Sequence, residues 1–385
     1  MKKLFSKIDV PLLIMTILYC MFGLLMIYSS SSVSAIIRYN RPNYYFFLKQ
    51  ALIIVTILIV CFTLVLRVPT KKYHALIWPL LGLVIFGLIY LFVKGKITNH
   101  VISWYRLGPI SLQPSEFAKS ILIIFSACFY DKLAKKKVKN FYLYLVPLAV
   151  GAIVAVLIMM QPDLGSAAIL MGIVFLTFIS VPMVKNNLFK IIKLIGIALI
   201  VFMVIFLYSG ESMLNNEQLS RLRFKNPCSR YTEKSGYQVC NGFIAMNNGG
   251  LFGVGLGKST QKYLYLPESH TDFIFPIIVE ELGLVTGILV VFGYMYILYR
   301  ILRIARNSET LRCSVLAYGT FWYLALHILI NLLGVLAIIP LTGVPLPFLS
   351  YGGSYIINVL VMIFVVQRVN IENQINKTNR EIRAL

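Results

Sequence analysis

Apolar residues in this chain gather into ten long runs, at approximately 10–29, 46–66, 74–93, 115–130, 141–160, 165–183, 191–208, 271–299, 312–338 and 350–368, the fourth short and polar at its start. Runs of roughly 17–25 residues cross a bilayer as helices, and lipid leaves an open chain no other way to satisfy its backbone. The pattern predicts an all-α, polytopic integral membrane protein with about ten transmembrane helices, forming a single transmembrane domain over 1–385. The one sizeable polar segment is a loop at about 209–270, between the seventh and eighth runs.

Charge then fixes the orientation. Thirty-six Lys and Arg stand against fourteen Asp and Glu, a formal +22 that invites a nucleic-acid reading until the positions are considered. Ten spans put both termini on one side. That side collects twenty-two of the basic residues, from Lys2, Lys3 and Lys7 through Lys132–Lys139 to Arg368–Arg383. The short loops opposite hold six: Arg38, Arg41, Lys49, Lys94, Lys96 and Arg106. Seven more lie in the long loop, which weighs little in the positive-inside rule. The asymmetry places both termini in the cytoplasm, the long loop outside, and the positive charge against anionic membrane lipid rather than nucleic acid. A hydrophobic content of 59% with only 13% charged residues excludes a soluble domain and a disordered chain. Lys2, Lys3 and the small residues Ser34-Ala35 imitate a signal peptide, but the first run is longer than the 7–15 residues of a signal-peptide core and reads as a retained span.

Several motifs fail on inspection. Gly253–Thr260 resembles a phosphate-binding loop, yet Phe252 occupies the position where that motif needs its first glycine, and the segment lies outside, away from nucleotide. No nucleotide is expected. His74, His100, His270 and His327 lack zinc spacing. Cys20, Cys61, Cys128 and Cys313 read as small apolar fillers, whereas Cys228 and Cys240 share the external loop and are either a disulfide or two free thiols.

Ionisable groups in or beside membrane spans are costly and so mark candidate sites. Glu116 and Lys119 open the fourth run after Pro114, three residues apart on one helix face, as a functional pair or as a mutual ion pair. Asp163 follows Gln161-Pro162 and suits a helix cap. Glu280 and Glu281 sit two turns into the eighth run, placed to hold helices together or to line a polar cavity. Asp272 lies where the long loop re-enters the membrane, in reach of both an aqueous and a lipid-borne group, the alternative being a helix cap. The stretch Pro340–Ser354, with three prolines and three glycines, excludes regular helix and is expected to line a site, its N–H groups and Ser350 suited to phosphate or sugar.

Four of these strings in order resemble the SEDS family (FtsW, RodA and SpoVE): Gln113-Pro114-Ser115-Glu116 with Lys119, Gln161–Gly165, Leu266–Phe275, and Pro345–Phe348 with Ser350–Ser354. Tyr45–Gln50 and Gln261–Glu268 look more like FtsW, the division member, than RodA, the elongation member. Two departures stand out: Asn248 where a serine is commoner, and the closing Ser354-Tyr355.

The resemblance implies a peptidoglycan glycosyltransferase that polymerises lipid II outside the cytoplasmic membrane, for septal wall synthesis, with a class B penicillin-binding protein as transpeptidase and other division proteins as partners. Asp272 is then the candidate general base for the acceptor hydroxyl. Arg106, Lys119 or a divalent cation, magnesium or manganese, would offset the charge of the departing pyrophosphate, with Lys119 alternatively paired to Asp272, and Glu116 in support. Candidate substrate contacts are Trp104, which would stack on a sugar or anchor at the interface, with Gln113, Asn247, His270, Ser350, Tyr351, Gly352 and Gly353. Two further classes compete, a lipid II flippase and a non-catalytic division scaffold. A transporter places its charges near the midplane, whereas these fall toward the external face.

Overall fold

In a computed structural model of the chain, the described residues are 6–94, 96–98, 101–107, 110–138, 140–182 and 223–384, with the isolated positions 189, 190, 193 and 220. The apolar runs fold as helices α1 (Val10–Ile37), α2 (Tyr45–Val60, extended by a π turn over Cys61–Val65), α3 (Tyr73–Lys94), α4 (Pro114–Lys135), α5 (Val146–Met159), α6 (Leu164–Ile179), α8 (Ile274–Arg306), α9 (Leu311–Val335) and α10 (Gly353–Ala384), with α7 (Lys234–Gly249) outside the apolar set. Among the described residues, seven helical segments are long and apolar enough to cross a membrane. α6 is apolar but has 16 residues, and α4 spends part of its length on buried Glu116, Lys119 and Asp131. The run at 191–208, apart from position 193, lies outside the described residues. Side chains such as Leu83, Phe86, Leu289 and Phe292 are exposed on the helix exteriors, the surface a helix bundle turns to lipid.

Two helix ends differ from the hydropathy pattern. α8 continues through Arg300 to Arg306 and α10 continues past Arg368 to Ala384, because a charge ends an apolar run without ending a helix. Arg300 is ion-paired to Asp9, the N-cap of α1, and Arg368 to Glu372 one turn on, at 3.1 Å. Between α3 and α4 the chain forms a small antiparallel sheet, β1 (Lys96–Thr98), β2 (Val101–Leu107) and β3 (Ile110–Leu112). The segment read as a long polar loop contains α7, tied by a disulfide between Cys228 and Cys240 with Cα atoms 4.9 Å apart, and α7 packs against α8.

α8 is broken at Gly283, whose φ of 85° and ψ of 167° are open only to glycine. The break strands backbone groups that a bilayer cannot hydrate, and the chain after α7 supplies their partners. Val254 and Gly255 N–H donate to the carbonyls of Glu280 and Glu281 (both 2.9 Å), while Leu284 and Val285 N–H donate to Gly250 (2.9 Å) and Leu251 (3.2 Å). Such contact requires bare backbone: a Cβ on Gly249, Gly253 or Gly283 would lie 2.0–2.3 Å from a carbonyl oxygen. The next residues are latched by the two carboxylates. Glu280 accepts from Ser259 and from the Thr260 hydroxyl (2.9 Å) and N–H (3.1 Å). Glu281 accepts from Ser29 of α1 (2.7 Å) and is ion-paired to Lys262 (3.0 Å), all buried. Gly253 of the spurious phosphate loop thus serves close backbone packing.

Gly283→Ala is expected to lower stability by about 2–4 kcal/mol through backbone strain plus the clash with Leu251, while Gly257→Ala, with φ also positive but nothing within 4 Å, costs about 1 kcal/mol. Thermal unfolding in detergent compares them; equal midpoints for the two variants would contradict the role given to the break.

Candidate functional site

The latch delivers the chain to a series of turns over 261–273, just before α8. These turns lie against the irregular segment 336–352 between α9 and α10, and the two hold each other. The Asn331 carboxamide, from the last turns of α9, donates to the backbone carbonyls of both Asp272 (2.8 Å) and Val344 (2.7 Å). Ser350 donates its hydroxyl to the Thr271 carbonyl (2.5 Å) and accepts from Leu346 N–H (2.8 Å). Tyr351 N–H donates to the His270 carbonyl (2.9 Å).

Asp272 is held at the centre of this arrangement, 8% exposed. Its Oδ1 accepts from the Thr271 hydroxyl (3.0 Å), which lies 2.9 Å from Glu268 Oε2 as well. Its Oδ2 faces Gly343, where φ is +70° and an added Cβ would stand 3.6 Å from the carboxylate. Asp272 does not cap α8: Phe273 occupies that position and makes no side-chain cap bond. The carboxylate therefore lies at a seam between two segments and not at the helix cap.

The other residues singled out from sequence divide into those at the seam and those away from it. His270 is buried, its ring 4.7 Å from Phe46 of α2 and 5.7 Å from Tyr351. Burial pushes the His270 imidazole down to about 4, with Arg38 acting the same way and Glu268 opposing. Gly352 N–H reaches Gln50 Oε1 (3.3 Å). Ser354, one residue after Gly353, accepts from Gln113 N–H and donates to the Ser111 carbonyl, both at 3.0 Å, stitching β3 and the start of α4 to α10. The Gln113 side chain donates to Asp163 (3.2 Å), which also caps α6 through Ser166 N–H (3.0 Å). Gly165 lets α6 approach Thr342, whose carbonyl oxygen lies 3.0 Å from where its Cβ would be.

Glu116 and Lys119 lie deeper. Lys119, 1% exposed, donates to Glu116 (2.7 Å) and sits 3.1 Å from His327 Nε2. Lys119 is thus paired with Glu116 in place of Asp272, because the i, i+3 spacing brings the acid to it on the same helix. Trp104 is half-buried on β2, opposite Lys96. Arg106 pairs in register with Ser111, but its side chain lies outside the described residues. Asn247 is exposed near the end of α7.

Beside the seam, Lys49, Leu52, Ile53, Ile57 and Val60 of α2 face Ser111, Leu112, Tyr351 and Ile357 across a cavity of about 400 Å³. The cavity has apolar walls and a lysine at the end nearest the start of α2. Asn331, Gln50 and this groove were missed in the sequence reading, although a lone amide inside an apolar run is itself a signal of this kind.

A family profile described as cell cycle protein, covering FtsW, RodA and SpoVE, matches residues 10–375. The chain is similar to the probable peptidoglycan glycosyltransferase FtsW of Bacillus subtilis, 36% identical over 367 residues spanning 94% of this chain and 90% of that one. It is also similar to the stage V sporulation protein E of the same organism, 34% identical over 94% of this chain and 96% of that one. Among solved structures, a chain of a peptidoglycan synthase complex superposes with a TM-score of 0.74 at 23% identity, covering 95% of this chain and 98% of its own. The rod shape determining protein RodA of Thermus thermophilus gives 0.66 at 23% identity, covering 94% and 96%. At that identity the two structures support the shared fold.

Lys119→Met is expected to destabilise by about 3–5 kcal/mol by leaving Glu116 a buried unpaired charge, and Glu116→Gln with Lys119→Met together to restore most of that loss. Unfolding of the two variants tests the pair; a double variant no better than the single would contradict it. His270, with its folded value below the ordinary 6.5, leaves stability unaffected above that pH and erodes it as the pH falls from 6.5 toward 4, by up to about 1.4 kcal/mol per unit. His270→Gln should flatten that part of the profile.

Proposed function

Because the chain belongs to the FtsW/RodA/SpoVE family of cell cycle proteins, we propose that it is a peptidoglycan glycosyltransferase, polymerising lipid II into glycan strands at the external face of the membrane. The observation that carries this reading is the placing of Asp272: a carboxylate at a seam of irregular backbone, braced on both sides, near a groove with apolar walls and a lysine at one end. Asp272 takes the proton of the acceptor 4-hydroxyl as its oxygen attacks the donor sugar, the bond to the polyprenyl pyrophosphate breaks, and the leaving group carries away the electron pair. A positioned base of this kind contributes roughly 10²–10⁴-fold.

The groove beside α2 suits the polyprenyl chain, with Lys49 at its end for the phosphate charge. Among the described residues no group of three His, Cys, Asp or Glu converges, so a metal cage made of protein alone is not available there. Asp272 and Glu268 do meet on one hydroxyl, and two carboxylates completed by substrate phosphates are a common setting for magnesium. A magnesium or manganese ion bound there would neutralise charge on the pyrophosphate. Residues 266–273 and 343–354 would orient the sugar.

Similarity to FtsW relatives supports a septal role, with a class B penicillin-binding protein as transpeptidase and further division proteins around it. Asp272→Ala and Asp272→Asn, purified with the transpeptidase and lipid II, are expected to lose glycan polymerisation by at least about 10²-fold with unfolding midpoints unchanged. Normal polymer from either variant would remove Asp272 as the base. Lipid II translocation in liposomes by a wild-type protein that forms no polymer would replace the reading with a flippase.

A further inference from the structure

At the end of the bundle carrying the basic loops, far along the chain from Asp272, a second cavity of about 280 Å³ opens between α3 and α4. Its walls are apolar and aromatic: Ile77, Trp78, Phe125 and Phe129. Trp78 meets Phe125 edge to face at 5.5 Å and is itself 59% exposed. Two basic side chains form the rim, His74 from the first turn of α3 and Lys132 from the last turn of α4. On the outer face of the same helix, α3, Leu76, Leu83 and Phe86 are exposed as lipid-facing positions.

The rim carries surplus positive charge. Asp131 is the acid beside it, and its carboxylate is already shared by Arg312 (3.0 Å), Lys135 (2.6 Å) and His74 (3.1 Å). Among the described residues Lys132 makes no ion pair. An apolar, aromatic trough with Trp78 exposed on its wall, ending in one uncompensated cation, complements a molecule with a hydrocarbon tail and a single negative charge. A pyrophosphate, with more charge, would leave most of it unmatched here.

We propose that this groove binds an anionic glycerophospholipid of the leaflet it faces, one acyl chain lying along Trp78, Phe125 and Phe129 and the phosphodiester meeting Lys132. The occupant braces the junction of α3 with α4, the helix whose opposite end begins at Gln113 and Pro114. The assignment does not depend on the reaction proposed above.

The chain has three tryptophans, so Trp104→Phe with Trp322→Phe leaves Trp78 as a single reporter. The full chain, reconstituted in phosphatidylcholine vesicles, is titrated with brominated phosphatidylglycerol or brominated phosphatidylcholine, and quenching of Trp78 is recorded. The proposal expects the anionic lipid to occupy the quenching site about five-fold more readily than the zwitterionic one, the preference one lysine near the membrane surface confers. Lys132→Arg should keep that preference, Lys132→Glu should abolish it, and Lys377→Glu, exposed on α10, should leave it intact. Equal quenching by the two lipids would overturn the proposal, as would a Lys377→Glu loss as large as that of Lys132→Glu, which would assign the effect to bulk surface charge.

Discussion

Two stretches of irregular backbone, 261–273 and 336–352, lie side by side among apolar helices, and each supplies hydrogen-bond partners that the other needs. In a bilayer an unsatisfied peptide group costs several kcal/mol, so non-helical chain survives there only against protein or a watery cavity. One carboxamide, that of Asn331, spans the pair by donating to Asp272 and Val344 at once. Ser350 and the Tyr351 N–H close the remainder. The position of the Asp272 carboxylate is a consequence of this mutual satisfaction, and the glycine at 343 leaves room for it.

The same constraint explains the rest of the bundle. α8 is broken at Gly283, and the backbone groups released there are taken up by 250–255. Glu280 and Glu281, whose place in the eighth run suits holding helices together or lining a polar cavity, hold the following turns and Ser29 of α1. Glu116 and Lys119 neutralise each other inside α4. Among the described residues, these charged groups secure backbone or one another, and Asp272 is distinguished by its place at the seam.

Much of this architecture was legible in the apolar runs, because hydropathy and helix share a cause in the bilayer. The helix ends were not: Arg300 and Arg368 interrupt a run while their ion pairs let α8 and α10 continue. The segment from 209 to 270 reads as loop because α7 is amphipathic and contains polar residues such as Gln238, Asn241 and Asn247, and its packing on α8 comes from tertiary contact. Asp272 stood out through its location between loop and span, and the Pro340–Ser354 stretch through its lack of helix formers. The partner of Lys119 was ambiguous, since Glu116 and Asp272 are both acids within plausible reach and only the folded distances separate them. Asn331 and Gln50 were overlooked as uncharged residues inside long apolar runs, although the clamp depends on one and the Gly352 N–H on the other.

The Asn331 clamp fixes the Asp272 backbone against the 343–345 segment, and with Asp272 as the proposed base it would set the geometry of the reaction. Steady-state lipid II polymerisation by Asn331→Leu, with folding verified by an unfolding midpoint close to wild type, addresses it most directly. Misplacing a reacting group by about 1 Å costs on the order of 10²-fold, so the account predicts a fall in kcat of that size with KM for lipid II little changed. A folded Asn331→Leu protein with wild-type kcat would contradict it.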